Sequence, residues 1–238
     1  MARLILFDID GTLVHTGHAG RSAFARTFAT EFNLHHGVEK IKFAGRTDVS
    51  LVREFLGFHQ IPATPENFRR FFDNYVFWLH EILEQTNGDA CRGVRKFIAD
   101  LLALKNPPML GLLTGNIRLG AEIKLRRYDL WEMFHFGAFA DDHEERNHIA
   151  AAALKRGRRV LGDDLRPEEI VVVGDTPFDV ECGKFIGARV LAVATGGAKS
   201  HELQSHKPDW LVEDLTQISV KEICGRDGVP PSQNLGRQ

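Results

Sequence analysis

The first apolar run of this chain ends in a way that narrows its fold more than any other feature does. Leu4-Ile5-Leu6-Phe7 leads straight into Asp8-Ile9-Asp10-Gly11-Thr12. Four consecutive apolar residues fit a strand buried on both faces, as in a parallel sheet, and the glycine ends it. Asp8 and Asp10 then lie at the strand's carboxyl end, where open α/β sheets build their sites. A turn or helix cap would be the plain structural reading of Asp8-Ile9-Asp10. Paired carboxylates closing so apolar a strand instead suggest a nucleophile site that handles phosphate.

Two later apolar runs end the same way, in Leu113-Thr114-Gly115-Asn116 and in Val173-Gly174-Asp175-Thr176-Pro177-Phe178-Asp179. Parallel strands bring all three ends to one edge. From about residue 93 the pattern alternates helix and strand: helices over 94–104, from 119, over 147–156 and over 177–186, with strands at 109–113, 170–173 and 189–193 and a short apolar stretch at 134–139. That is a parallel sheet with helices on its faces.

Between the first strand and this alternation, the pattern to Gln85 is helical. Ala23, Phe24, Phe28 and Phe32 recur at helical spacing, as do Leu51, Val52, Phe55 and Leu56, and then Phe68, Phe71, Phe72, Tyr75, Trp78, Leu79 and Ile82. At that spacing an aromatic stripe reads as helix-helix core rather than as a ligand platform. The block is inserted after the first strand and projects over the carboxyl edge, where it can act as a lid. The expected organisation is a core of residues 1–14 and 90–224, a helical cap of 15–89, and a flexible tail of 225–238 rich in glycine and proline.

With 238 residues, 43% hydrophobic, the chain can bury a sizeable core. Its formal net charge of -2, with both signs interspersed, provides no footprint for nucleic acid or an anionic membrane. Cys91, Cys182 and Cys224 are odd in number and widely spaced, which indicates neither a disulfide framework nor a zinc site. With no signal peptide and no apolar span, a cytoplasmic protein is expected, a monomer or homodimer whose partner is a small phosphorylated metabolite.

The three motifs in their order, DxDGT, a strand ending in Thr-Gly-Asn, and GDTxxD, resemble the haloacid dehalogenase superfamily with an all-helical cap. The resemblance covers nearly everything before the tail. It implies an α/β fold of three layers, Rossmann-like, with a central parallel sheet and an inserted α-helical cap, and a hydrolase acting on phosphomonoesters with Mg2+ as cofactor.

By that resemblance Asp8 attacks phosphorus to form an aspartyl-phosphate, and Asp8 and Asp175 bind the metal. Hard oxygen ligands suit magnesium, which lets an anionic nucleophile approach an anionic ester. Asp10 adds its backbone carbonyl to the metal and keeps its carboxyl for acid and base work, with Thr12 supporting the turn. Thr114, Gly115 and Asn116 bind the transferring phosphoryl group, although Asn116 also suits a plain strand-to-helix turn. Asp179 orients metal-bound water or the site's cation. Thr176 and Pro177 equally make a helix start.

The family's cation is usually a lysine at the start of the helix before the GDTxxD strand. Arg146 stands there in this chain, and Lys155 lies too far into the helix. Gly45-Arg46-Thr47-Asp48 is similar to the cap loop of phosphoglycolate-phosphatase-like and phosphomutase-like members. Arg46 is therefore a candidate for an anionic group on the leaving part of the substrate, with a surface arginine beside a capped helix start as the alternative. His15, His18, His35 and His36 read as flap or surface residues, and Asp141, Asp142, Glu144 and Glu145 as a solvated acidic loop.

Asp10 argues against carbon-halogen and phosphonate cleavage, because family members with those activities lack an aspartate at this position. A magnesium-dependent phosphatase is expected. A β-phosphoglucomutase-type phosphomutase is the alternative, followed by a non-catalytic binding module, against which the retained Asp8, Asp10, Thr114 and Asp175 speak.

Overall fold

In the computed structural model, which describes residues 1–225, six parallel strands form one sheet in the order β5-β4-β1-β6-β7-β8. The elements, in chain order, are β1 (Leu4–Phe7), β2 (Val14–His15), α1 (Ala19–Phe32), α2 (Asp48–Phe58), α3 (Pro65–Gln85), β3 (Asp89–Ala90), α4 (Val94–Leu102), β4 (Met109–Leu113) and α5 (Arg118–Arg127). They continue with β5 (Phe136–Ala138), α6 (Arg146–Leu161), β6 (Ile170–Gly174), α7 (Pro177–Phe185), β7 (Arg189–Val193), α8 (Ser200–Ser205), β8 (Trp210–Val212) and α9 (Val220–Cys224). The tail expected over 225–238 lies, apart from Gly225, outside the described residues.

The uninterrupted apolar run of β1 reflects cover on both faces. Leu4 and Leu6 pack with Ile149 and Ala153 of α6. Ile5 and Phe7 face the opposite layer, which holds Phe97 and Leu101 of α4 and Leu125 of α5. The sheet is thus the middle of three layers. β1 is central, paired with β4 on one side and β6 on the other, so Thr114 and Asp175 emerge on either side of Asp8.

Helices α1 to α3 form a block between two short antiparallel strands, β2 and β3, in which Val14 pairs with Ala90 and His15 with Asp89. Both crossings between core and block therefore run side by side as one narrow ribbon. The aromatic stripe is the block's core: Phe28 lies 4.4 Å from Phe55 and 4.5 Å from Phe71, ring centre to ring centre. Contacts of this kind add about 0.5–1.5 kcal/mol each beyond burial. Thr47 caps α2 and Thr64 caps α3, which starts with Pro65.

The short β2, β3, α8 and α9 were not expected, and two further elements differ more instructively. Helix α6 runs past Arg156 to Leu161, and Gly157 within it serves the close approach of helix and sheet, since a Cβ there would come 2.7 Å from Leu4. Strand β8 was not expected, since three residues between Asp209 and Glu213 carry too little pattern; its register with Leu191–Val193 makes it a strand.

Candidate active site

Asp8 leaves the end of β1 with only 5% of its surface exposed. Its neighbours come from two other strand ends and one helix start. The carboxylates of Asp8, Asp175 and Asp179 offer oxygens that all lie within 4.8 Å of one another. Arg146, the first residue of α6, donates to Asp8 Oδ1 at 3.4 Å and makes a closer contact with Asp179. Thr12 donates to Asp175 Oδ1 at 2.9 Å. Asp179 also accepts from the Thr176 hydroxyl at 2.6 Å and the Thr176 N–H at 2.9 Å, so one α7 capping box anchors both the helix and the carboxylate.

The turn after Asp8 depends on Gly11. Its φ is +82°, and a Cβ there would stand 2.6 Å from Asp175 Oδ2. Glycine is therefore required both by conformation and by the approach of the Asp175 carboxylate.

Three buried carboxylates share one guanidinium. Burial first, and then the nearby Asp179 carboxylate, push Asp8 from 3.8 up to about 7, with Arg146 pulling the other way. Burial, Asp179 and Asp8 hold Asp175 well above the usual carboxylate range. Burial works against the Arg146 cation, yet Asp179 and Asp8 raise its pKa above the ordinary arginine value. The cluster is short of positive charge, and its donors are hard oxygens. A divalent cation such as magnesium fits both facts.

The Asp10 carboxyl is not part of this triad. It turns to a second network, in which Lys124 Nζ donates to both its oxygens at 2.9 and 2.7 Å. Asn116 Nδ2 adds a bond to Asp10 Oδ2 at 2.8 Å and another to Thr114 Oγ1 at 2.8 Å. Lys124 closes the ring by donating to Asn116 Oδ1 at 2.6 Å. Sequence reasoning missed Lys124. The available signal was a charged residue on the apolar face of α5, whose buried residues are Gly120, Ala121, Lys124 and Leu125.

The 45–48 segment fastens the helical block to the core. Asp48 N donates to Gly115 O at 2.7 Å, and Asp48 Oδ2 accepts from Ile117 N at 2.8 Å. Thr47 donates to Glu144 O at 2.7 Å. Gly115 owes its lack of a side chain to this contact, since a Cβ would come 2.3 Å from Arg46 O. Arg46 lines the site's cavity, but its guanidinium is engaged by Glu54 at 2.8 Å and Ser50 at 3.3 Å. Burial pushes the partly buried Asp48 from 3.8 to about 6, against the pull of Lys124. In the acidic loop, Asp142 pairs with Arg156 and Glu144 with Arg53.

Strand ends and block enclose a cavity of about 590 Å³ whose lining includes Asp8, Asp10, Thr114, Arg146 and Asp175. The block and its ribbon contribute His15, His18, Arg21, Phe43 and Tyr75 to the same lining. A cavity of this size has room for a small molecule.

The sequence profile of the haloacid dehalogenase-like hydrolases matches residues 5–193. The pyrophosphatase PpaX of Bacillus cereus is 25% identical over 225 residues, covering 90% of this chain and 93% of that one. PpaX of Oceanobacillus iheyensis is 28% identical over 221 residues, covering 91% and 94%. Among solved structures, CbbY from Rhodobacter sphaeroides in complex with phosphate superimposes with a TM-score of 0.73 at 21% identity, covering 96% of this chain and 99% of that one. A predicted phosphoglycolate phosphatase from Haemophilus somnus superimposes with a TM-score of 0.71 at 19% identity, covering 91% and 96%. Among the described residues no helix is long and apolar enough to cross a membrane.

Proposed function

The chain belongs to the haloacid dehalogenase-like hydrolases, and from that premise we propose that it is a magnesium-dependent phosphatase acting on a small phosphorylated metabolite through an aspartyl-phosphate. One observation carries the reading: Asp8, Asp10, Asp175 and Arg146, from three separate stretches of sequence, line one cavity. In the first half-reaction an Asp8 carboxylate oxygen attacks phosphorus, the bond from phosphorus to the leaving oxygen breaks, and the Asp10 carboxyl gives that oxygen a proton. In the second, Asp10 takes a proton from water, the resulting hydroxide attacks phosphorus, and the phosphoryl bond to Asp8 breaks to release phosphate. Asp8, Asp175 and Asp179 are the residues that would hold magnesium, which supplies charge neutralisation between nucleophile and phosphate when bound. Arg146 keeps the Asp8 carboxylate oriented. Thr114 supplies a hydroxyl for the phosphoryl oxygens.

The helical block, residues 15–89, is assigned as a cap, with the β2–β3 ribbon as its neck. On its wall Arg21 is placed to meet the leaving part of the substrate, whereas the Arg46 guanidinium in the same lining is held by Glu54. A second reading, hydrolysis of pyrophosphate, is favoured by the PpaX relatives. Phosphate release in magnesium from p-nitrophenyl phosphate, a panel of phosphorylated metabolites and pyrophosphate tests all of these together. Asp8→Asn is expected to lower turnover by at least about 1,000-fold while folding normally. Release by that variant at near wild-type rates would end the proposal, and a requirement for added sugar bisphosphate would move the assignment to a phosphomutase.

A further inference from the structure

We propose that Lys124 is the positioning residue for Asp10, and that it governs how well the enzyme expels poor leaving groups. The proposal rests on the reading of Asp10 as the acid and base. Lys124 is 4% exposed. Burying an ammonium is costly unless every N–H finds an acceptor. Here all three do: the two oxygens of Asp10 at 2.9 and 2.7 Å and Asn116 Oδ1 at 2.6 Å. The pairing also settles which way the Asn116 amide points. Its oxygen is taken by Lys124, so its NH2 turns to Asp10 Oδ2 and Thr114 Oγ1.

The result is directional. Asp10 Oδ2 accepts from both Lys124 and Asn116, whereas Oδ1 accepts from Lys124 alone. Oδ1 keeps the spare lone pair, and with the Asp10 side chain 44% exposed toward the cavity, it is the oxygen that exchanges a proton with the substrate. Without Lys124 the Asp10 side chain regains its rotamers, and its bond to Asn116 no longer selects one of them.

The helical block is shaped around this ammonium. Gly20, in the first turn of α1, sits where a Cβ would come 3.3 Å from Lys124 Nζ and 3.6 Å from the Tyr75 hydroxyl. Any side chain at Gly20 presses on the pinned end of Lys124. Since α5 packs against α3, the lysine emerges where core and block meet. Asp10 is thus held by a core residue for which the block leaves room. Lys124 touches no reacting atom and acts on Asp10 directly and by way of the Asn116 amide.

The test compares kcat/KM for p-nitrophenyl phosphate, whose leaving group departs without a proton, with that for phenyl phosphate, which has nearly the same shape and needs one. General acid catalysis contributes about 100- to 10,000-fold, so Lys124→Met is expected to lose roughly 10- to 100-fold more on phenyl phosphate than on the nitrophenyl ester. Equal losses on both, or none, overturn the proposal, because a merely structural lysine does not sort substrates by leaving group. Gly20→Ala covers the case in which Lys124→Met does not fold. Alanine is the better helix former by about 1 kcal/mol, so the variant keeps its stability and should show the same tilt, several-fold in size; a folded Gly20→Ala without it also overturns the proposal. Asp10→Asn is the control. If Asp10→Asn shows no tilt, the acid-base reading of Asp10 fails; if it does and Lys124→Met does not, only the role of Lys124 fails.

Discussion

Replacing Arg146 with methionine should destabilise the protein by about 3–5 kcal/mol at a pH above the value of about 7 at which Asp8 ionises, and magnesium should restore part of the loss. Arg146 is 8% exposed, Asp8 5% and Asp179 0%, so the charges meet out of water. At an effective dielectric near 20, a contact of 3.4 Å between Arg146 and Asp8 is worth about 5 kcal/mol, and the contact with Asp179 adds to it. The methionine variant no longer bears the desolvation cost of burying a guanidinium, which brings the net loss to the roughly 3–5 kcal/mol of a broken buried pair. Methionine preserves much of the side-chain volume, so the loss reads charge rather than packing. Arg146→Lys retains the charge without the planar fork and should recover about half. Urea unfolding followed by fluorescence, in chelator and then in magnesium, measures both effects. Magnesium at a hundred times its Kd stabilises a folded protein by about 2.7 kcal/mol. At one fixed concentration the gain should be larger for Arg146→Met, in which no guanidinium competes for Asp8 and Asp179. A loss below about 1 kcal/mol, or a smaller magnesium gain than in wild type, refutes the reasoning.

Gly11→Ala should cost about 1–3 kcal/mol through its left-handed backbone and lower activity by about 100-fold, because the new Cβ would meet Asp175 Oδ2 at 2.6 Å; thermal melts and phosphate release check the two losses, and unimpaired activity would contradict the assigned place of Asp175. Asp48→Asn should stabilise the protein above about pH 6 and leave it unchanged below pH 3.8. The folded carboxyl titrates at about 6 and the unfolded one at 3.8, so folding favours the protonated form and wild type loses stability as pH rises through that window. The asparagine oxygen can still accept from Ile117 N. Roughly 3 kcal/mol is the ceiling, and melting temperatures measured against pH should diverge between the two proteins only across that range; parallel curves would show that Asp48 ionises freely.

Much of the site was legible in local pattern. Asp8, Thr114 and Asp175 each follow a buried strand directly, and a parallel sheet sends such ends to one edge without further information. Arg146 was legible from its place at a helix start. The Arg46 motif was legible only as a motif: Thr47 and Asp48 are its working parts in holding the block, and the Arg46 guanidinium lies against Glu54. Strand β8 escaped because three residues hold no period, and α6 was cut short because a glycine in a helix looks like an ending until the β1 side chain beneath it is seen.

The sequence by itself thus determined a parallel sheet, an inserted aromatic-cored helical block and a carboxylate pair at the first strand's end, because burial period and turn chemistry act over a few residues. Only the tertiary structure separated that pair, giving Asp8 to the acidic triad with Arg146 and Asp10 to Lys124. The bonds that separate them join residues far apart in the chain, 138 positions between Asp8 and Arg146 and 114 between Asp10 and Lys124. No local pattern records a partner at that distance. It is set when α5 packs against α3 and α6 against the sheet, and buried charges then take the nearest opposite charge that geometry leaves them.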